Sequence, residues 1–259
     1  MKKNKLNFII SLGTIAAIIF IWFLVSNFSG ISSIILPTPQ AVWMSFVDLC
    51  TKGYGTNKDT LALHMGVSMG RLMSAFGLAI VTAVPLGLLA GYFSKVKAVA
   101  NPIIEFYRPL PPLAYYTLLV LWLGIGEESK ITLLYLAGFA PIYIACVSGV
   151  RKISRDYLNG SYMLGASKAQ TFWNVILPGA LPDIFTGIRT AIGVEYTTLV
   201  AAEMVAAKLG IGWVVLDASN WLKSDVVFAG VIVMGITGIL LNQVILLIER
   251  ATVHWAGKK

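Results

Sequence analysis

The sequence predicts an all-α integral membrane protein with six transmembrane helices and both termini in the cytoplasm. Two observations about composition and patterning lead there. Of 259 residues, 57% are hydrophobic and 12% charged; soluble domains average about 45–50% apolar and about 25% charged residues. Long apolar runs alternate with short polar segments, and a helix of about 20 apolar residues is what crosses a bilayer. A third observation, the placement of Lys and Arg, sets the orientation.

The net charge of +8 does not point to nucleic acid. A nucleic-acid binder gathers its basic residues into one patch or stripe. Here they form small clusters between apolar runs, as the positive-inside rule predicts for cytoplasmic loops. With the N-terminus inside, the inner segments hold Lys2, Lys3, Lys5, Lys95, Lys97, Arg108, Arg151, Lys152, Arg155, Lys168, Arg250, Lys258 and Lys259. The outer loops hold Lys52, Lys58, Lys130, Lys208 and Lys223, so the bias is thirteen to five. Acidic residues carry little topological weight and are set aside.

The first span is Phe8–Phe28, after MKKNKLN. It exceeds the about 7–15 apolar residues of a cleaved signal peptide, and a small-residue cleavage site is missing, so it reads as a retained span. The outer loop Ser29–Met65 contains LPTPQAVWMSFVDLC. Pro39 opens a helix at its first turn. Ala41, Val42, Phe46 and Leu49 recur at helical spacing, which predicts a short amphipathic helix at the outer interface. The second span is Val67–Phe93; its Gly87 and Gly91 form a GxxxG pattern that lets another helix approach closely.

The third span, Leu113–Ile125, is short or tilted, and Pro109–Pro112 breaks its start. Ile131–Val150 is the fourth. The fifth, Ile184–Ala207, contains Glu195 and Glu203. The sixth is Val226–Ile248. Before it, Trp213 and Trp221 suit an interfacial aromatic belt. In outline, residues 1–60 hold the first helix and the outer amphipathic segment, 61–250 hold a five-span core, and 151–183 form a cytoplasmic loop within that core.

Catalytic patterns are missing. The chain has no GxxxxGK[ST] phosphate loop and no HExxH. His64 and His254 are its only histidines and fall on opposite faces of this topology. Cys50 and Cys146 show no metal or disulfide spacing and read as free thiols. Neither an enzyme nor a resident cofactor or metal is expected.

The inner loop carries GASKAQTFWNVILPGALP. Gly165 permits a tight change of direction. Ser167 and Gln170 fit a capping box around Lys168 and Ala169. The helix so begun should end near Leu177, because Pro178 disfavours helix at the residue before it. Phe172, Trp173, Ile176 and Leu177 would share an apolar face, with Lys168, Thr171 and Asn174 away from it. A helix this short is unstable alone in water and must pack on something. From residues alone, lipid, a plain connector role and a partner protein all stay open.

Charges inside the membrane are costly and face a cavity or a partner. Arg71 and Glu203 both fall near the outer ends of their spans. Either they pair at that depth, or each snorkels separately. Glu195 lies deeper without a basic neighbour; it lines a path, or it is protonated and hydrogen-bonded between helices. Tyr107 and Arg108 fall near the inner mouth, although Arg108 is equally an ordinary positive-inside residue.

The inner loop resembles the signature loop of ABC importer permeases of the type I fold. That family's loop begins Glu-Ala-Ala, continues to a Gly and ends I-x-L-P. Here Asn159-Gly160-Ser161 stand for Glu-Ala-Ala, Gly165 for the Gly, and Val175-Ile176-Leu177-Pro178 for the ending. The segments IIEFYRPLPPLAYYTLLVLWLGIGEESKI and LVAAEMVAAKLGIGW resemble the permeases for taurine, other alkanesulfonates and nitrate. The taurine branch is most similar, through EFYRPLPPLA and ILPGALPDI.

The resemblance covers about Leu36 to Glu249 and implies specific partners. Two permease copies would form a homodimer around the path. Two ATP-binding cassette subunits would hold ATP and Mg and receive the short inner helix in a groove. An extracytoplasmic solute-binding protein would deliver solute. Gly165, Ala166, Ser167, Gln170, Phe172, Trp173, Leu177 and Pro178 would then couple the ATPase to the path. A reading from another class is a secondary transporter or channel; its usual internal repeats are not evident here.

Overall fold

The computed structural model describes residues 2–255, with side chains left aside at 2–9 and 206. Lys258 and Lys259, and the side chains of Lys2, Lys3 and Lys5, lie outside the described residues. Every regular element among them is helical: α1 (Lys2–Phe28), α2 (Pro39–Thr51), α3 (Leu61–Tyr92), α4 (Ser94–Tyr107), α5 (Pro112–Leu123), α6 (Glu127–Arg151), α7 (Arg155–Met163), α8 (Lys168–Thr171), a π-turn (Phe172–Ile176), α9 (Leu177–Ala206), α10 (Ile211–Asn220) and α11 (Ser224–Thr252).

Five stretches are long and apolar enough to cross a membrane: Ile10–Phe28, Leu61–Tyr92, Glu127–Arg151, Lys168–Val205 and Ser224–Thr252. The apolar α5 has only 12 residues. At 1.5 Å per residue it is about 18 Å long, short of the about 30 Å hydrocarbon core.

The chain divides into two compact units. One comprises Met1–Gly66 with Lys208–Gly235, and the other Val67–Ala207 with Ile236–Lys259.

In the first unit, α2 opens as its sequence dictates. Thr38 accepts the Ala41 N–H at 3.3 Å, and Pro39 occupies the first turn. Its Val42 and Leu49 join Tyr54, Leu61, Ile211, Val214, Ala218 and Ala229 in one apolar core. The opposite face leaves Trp43 and Met44 exposed. Ser45 donates to Asp225 and ties α2 to the start of α11. Trp213 departs from the aromatic-belt expectation. It stacks on His64 at 5.6 Å and meets Tyr54 edge-on at 5.9 Å. An amphipathic α10 turns it inward, while Trp221 at the end of that helix stays exposed. Burial, reinforced by the hydrogen bond to Asp217, pushes the Tyr54 phenol above its ordinary range.

The second unit is built on α6. The GxxxG pattern marks a true close approach. A Cβ on Gly87 would lie 2.6 Å from the Cys146 Cβ, and one on Gly91 2.6 Å from the Val150 Cβ. Bare backbone is what lets α3 lie against α6. Lys95 and Lys97, placed in an inner segment, lie in helix α4. Val96, Ala100, Ile104 and Tyr107 make one apolar stripe that packs into the core. Tyr143 Oη donates to Asn101 Oδ1 at 2.8 Å and fixes α4 to α6.

Pro178 does not stop the helix, contrary to expectation. The chain stays helical from Lys168 through Ala206. The π-turn explains how. The Leu177 N–H reaches back to the Phe172 carbonyl, five residues earlier. That wide turn places Pro178 in the first turn of α9, where a missing N–H and a fixed φ do no harm.

Candidate functional site

The loop between α6 and α9 is a helix–turn–helix held by local hydrogen bonds. Ser154 caps α7, accepting the Asp156 N–H at 3.2 Å. At the other end Gly165 has φ +83°. The N–H of Gly165 returns to the Tyr162 carbonyl and that of Ala166 to the Ser161 carbonyl. This paired closure, a Schellman motif, needs a left-handed residue at the position Gly165 fills. The capping box follows at once. The Ser167 N–H donates to Gln170 Oε1 at 2.8 Å, and the Gln170 N–H to Ser167 Oγ at 3.3 Å.

Two expectations for this loop need correction. Thr171 does not face outward; it is fully buried, and its hydroxyl meets Ser161 Oγ at 3.0 Å. That contact joins α7 to α8. The four apolar residues do not share one face either. Ile176 is buried, and Phe172 turns inward to meet Tyr92 at 6.0 Å. Leu177 packs on the same core. Trp173 is 63% exposed. The wider π-turn shifts the phase that a regular α-helix would have kept. Met163, Leu164 and Tyr157 of the same loop are also exposed, so the loop turns several large apolar side chains outward. Exposed apolar side chains on one short loop are candidates for an interaction surface. Asn159 stands exposed on α7, and Gly160 beside it is partly covered.

A buried charge cluster occupies the other end of this unit. Arg71 and Glu203 meet, with Nη1 to Oε1 at 2.8 Å. Arg71 is 5% exposed and Glu203 fully buried. Ser68, just under one turn before Arg71, donates to the same Oε1 at 2.7 Å. Glu127 is the partner the sequence reading missed. It takes Nε at 2.5 Å and Nη2 at 2.7 Å, a two-pronged grip on the guanidinium edge. Lys130, read as an outer-loop lysine, is instead buried in the first turn of α6. It donates to the Gly126 carbonyl at 3.0 Å and approaches Glu127 at 3.5 Å. The i,i+3 spacing of Glu127 and Lys130 was the available signal.

The family model described as the inner-membrane component of binding-protein-dependent transport systems matches residues 83–254. The chain belongs to that family. The taurine transport system permease protein of Escherichia coli is 41% identical over 249 residues, covering 96% of this chain and 90% of the relative. A Bacillus subtilis protein described as an aliphatic sulfonates transport permease is 32% identical, covering 93% and 85%. The nitrate import permease protein of Synechocystis is 32% identical, covering 97% and 94%. The protein is thus an ABC-transporter permease, a membrane transport component.

The remaining residues of interest fall in different parts of this permease. Glu195 is fully buried, and neither carboxyl oxygen finds a hydrogen-bond partner among the described residues. Its carboxyl lies where a Cβ on Gly138 would be. Arg108 is exposed and lines two clefts. One, of about 270 Å³, also has Lys97, Asn101 and Arg151; the other, of about 390 Å³, has Asp183, Thr186 and Thr190. Tyr107 does not reach either cleft lining; its hydroxyl is buried, and burial raises the phenol above its ordinary range, with Tyr115 and Tyr135 adding to it. A further pair, Arg189 to Glu249 at 3.6 Å, links α9 to α11.

Proposed function

We propose that this permease is the membrane-spanning subunit of an ATP-driven importer for small sulfonates, with taurine the preferred solute. Alkanesulfonates or nitrate in the same role are the nearest variants, since relatives named for both are about equally similar. The working unit is a homodimer with two ATP-binding cassette subunits, which hold ATP and Mg, and an extracytoplasmic solute-binding protein. Both termini face the cytoplasm. The short α5 serves as a sixth crossing.

The observation that carries this reading is the exposed Trp173. It sits on a helix rigidly braced from behind by the Schellman turn, the capping box and the Ser161–Thr171 contact. A short helix with an exposed aromatic on a stiff mount fits a helix-in-groove contact with a partner protein. In this reading Gly165, Ala166, Ser167, Gln170, Phe172, Leu177 and Pro178 hold the mount, and Trp173 makes contact. The absent phosphate loop agrees, because the ATP chemistry belongs to the neighbour.

Trp173→Asp is the clean test. We expect the variant to insert and unfold like the parent, yet to lose co-purification with the ATPase subunits and solute-driven ATP hydrolysis. Buried interface aromatics cost about 2–4 kcal/mol on removal, about 30-fold or more in affinity. Phe172→Asp is the contrasting variant and should lower the unfolding temperature, because Phe172 packs on Tyr92 inside the unit. Unchanged association and uptake in Trp173→Asp would refute the docking role.

A further inference from the structure

We propose that the Arg71–Glu127 pair is a recognition site for a small zwitterion carrying a sulfonate and an ammonium, which inserts between the two side chains. This rests on the importer reading above and assigns its solute a site.

The pair is unequal in access. The Arg71 side chain is 5% exposed and that of Glu127 54%. The carboxylate is therefore a solvent-reachable cover over a buried guanidinium. The guanidinium is also held independently of that cover. Nη1 stays on Glu203, and Ser68 holds Glu203 in place. The Nε–Nη2 edge remains aimed outward when Glu127 swings away.

That edge suits a sulfonate. Glu127 occupies it with two oxygens at 2.5 and 2.7 Å, and a sulfonate presents two oxygens in a similar fork. The third sulfonate oxygen has Lys130, whose Nζ now lies 3.5 Å from Glu127 Oε1. Glu127 thus holds the place that the anionic end of the solute would take.

Charge balance selects the other end. Arg71 and Lys130 offset Glu127 and Glu203, so the cluster is neutral. A plain anion that displaced Glu127 would leave that carboxylate without its cation and the cluster one charge negative. A zwitterion adds no net charge. Its sulfonate takes Arg71 and Lys130, and its ammonium takes the displaced Glu127.

A phosphatidylethanolamine headgroup carries the same pair of charges, so the test separates the two sources. The complete transporter is placed in nanodiscs of phosphatidylglycerol alone, without the solute-binding protein. Binding of radiolabelled taurine is measured by scintillation proximity, with ethanesulfonate as the plain-anion competitor. Wild type should prefer taurine. Glu127→Gln should reduce the taurine-to-ethanesulfonate preference by about tenfold, the effect of one charge-assisted contact. Arg71→Lys keeps the charge but loses the fork, and should weaken both ligands together.

No taurine binding by wild type, or an unchanged preference in Glu127→Gln, overturns the proposal. So does suppression of taurine binding by added phosphatidylethanolamine in wild type but not in Glu127→Gln, which assigns the site to lipid. ATP-driven taurine uptake by the full system is measured in parallel. Uptake that proceeds while the preference is unchanged sinks this inference alone; absence of uptake sinks the importer reading itself. Glu127 is exposed, so Gln should fold, and co-purification with the ATPase subunits checks that it does.

Discussion

Arg71→Ala is expected to destabilise the permease by about 3–5 kcal/mol, the range for removing one partner of a buried ion pair. Glu203 is fully buried on α9 and receives a guanidinium N–H from α3 at 2.8 Å. Alanine removes that donor and strands a carboxylate in a low-dielectric interior. The Ser68 hydroxyl remains but carries no charge. Glu127→Ala should behave differently. Its carboxylate is half exposed, water can replace it, and the loss should be about 0–1 kcal/mol. The double variant Arg71→Met with Glu203→Leu should recover most of what Arg71→Ala loses, since an apolar pair of similar volume carries no desolvation penalty. Thermal unfolding in nanodiscs would read all three. A midpoint for Arg71→Ala equal to that of Glu127→Ala would show that the burial of Glu203 is not what matters.

The contrast between Glu203 and Glu127 also shows what was legible in the sequence. Glu203 draws attention because an acid inside an apolar run is costly, and depth then leads to Arg71. Glu127 lies just outside an apolar run, among acidic residues that carry no topological weight. In the linear pattern only its i,i+3 spacing to Lys130 separates it from Glu128, and that spacing says nothing of Arg71. What separates them is that α6 begins at Glu127 and aims that one side chain at α3. Lys130 was hidden for the same reason: it reads as a loop cation until α6 is seen to start three residues earlier.

Local chemistry was legible wherever it is self-contained. Gly165 at the turn and the Ser167–Gln170 box depend only on their neighbours, and both form as the residues dictate. The extent of the helix they start was not legible. Pro178 is a valid stop signal for regular α-helix, and the π-turn removes the conflict by shifting the hydrogen-bond register before it. The same shift turns Trp173 outward. A residue that an ideal helical wheel places with the core becomes an exposed aromatic of the loop, and the coupling reading depends on that rotation.

Gly138→Ala offers the second large effect, and here the sign is the test. On helix propensity alone, alanine in place of a mid-helix glycine stabilises by up to about 1 kcal/mol. In this permease a Cβ at Gly138 would collide with the Glu195 carboxyl. Overpacking of that kind costs about 1–3 kcal/mol, so the net change should be a loss. Glu195→Ala alone should be neutral or stabilising, because it removes a buried carboxyl whose oxygens lack hydrogen-bond partners among the described residues. The double variant should be at least as stable as Glu195→Ala, since the methyl then enters the space the carboxyl vacated. That is a coupling of about 1–3 kcal/mol between contacting residues, and a double-mutant cycle on unfolding midpoints measures it. Additive effects would mean that α6 and α9 part easily at this level. Uptake by the stable Glu195→Ala transporter answers a separate question. A folded, fully assembled variant that no longer transports would mean that the carboxyl is kept, despite its cost, for the solute's passage. Retained transport would leave Glu195 as filling against a glycine that exists to receive it.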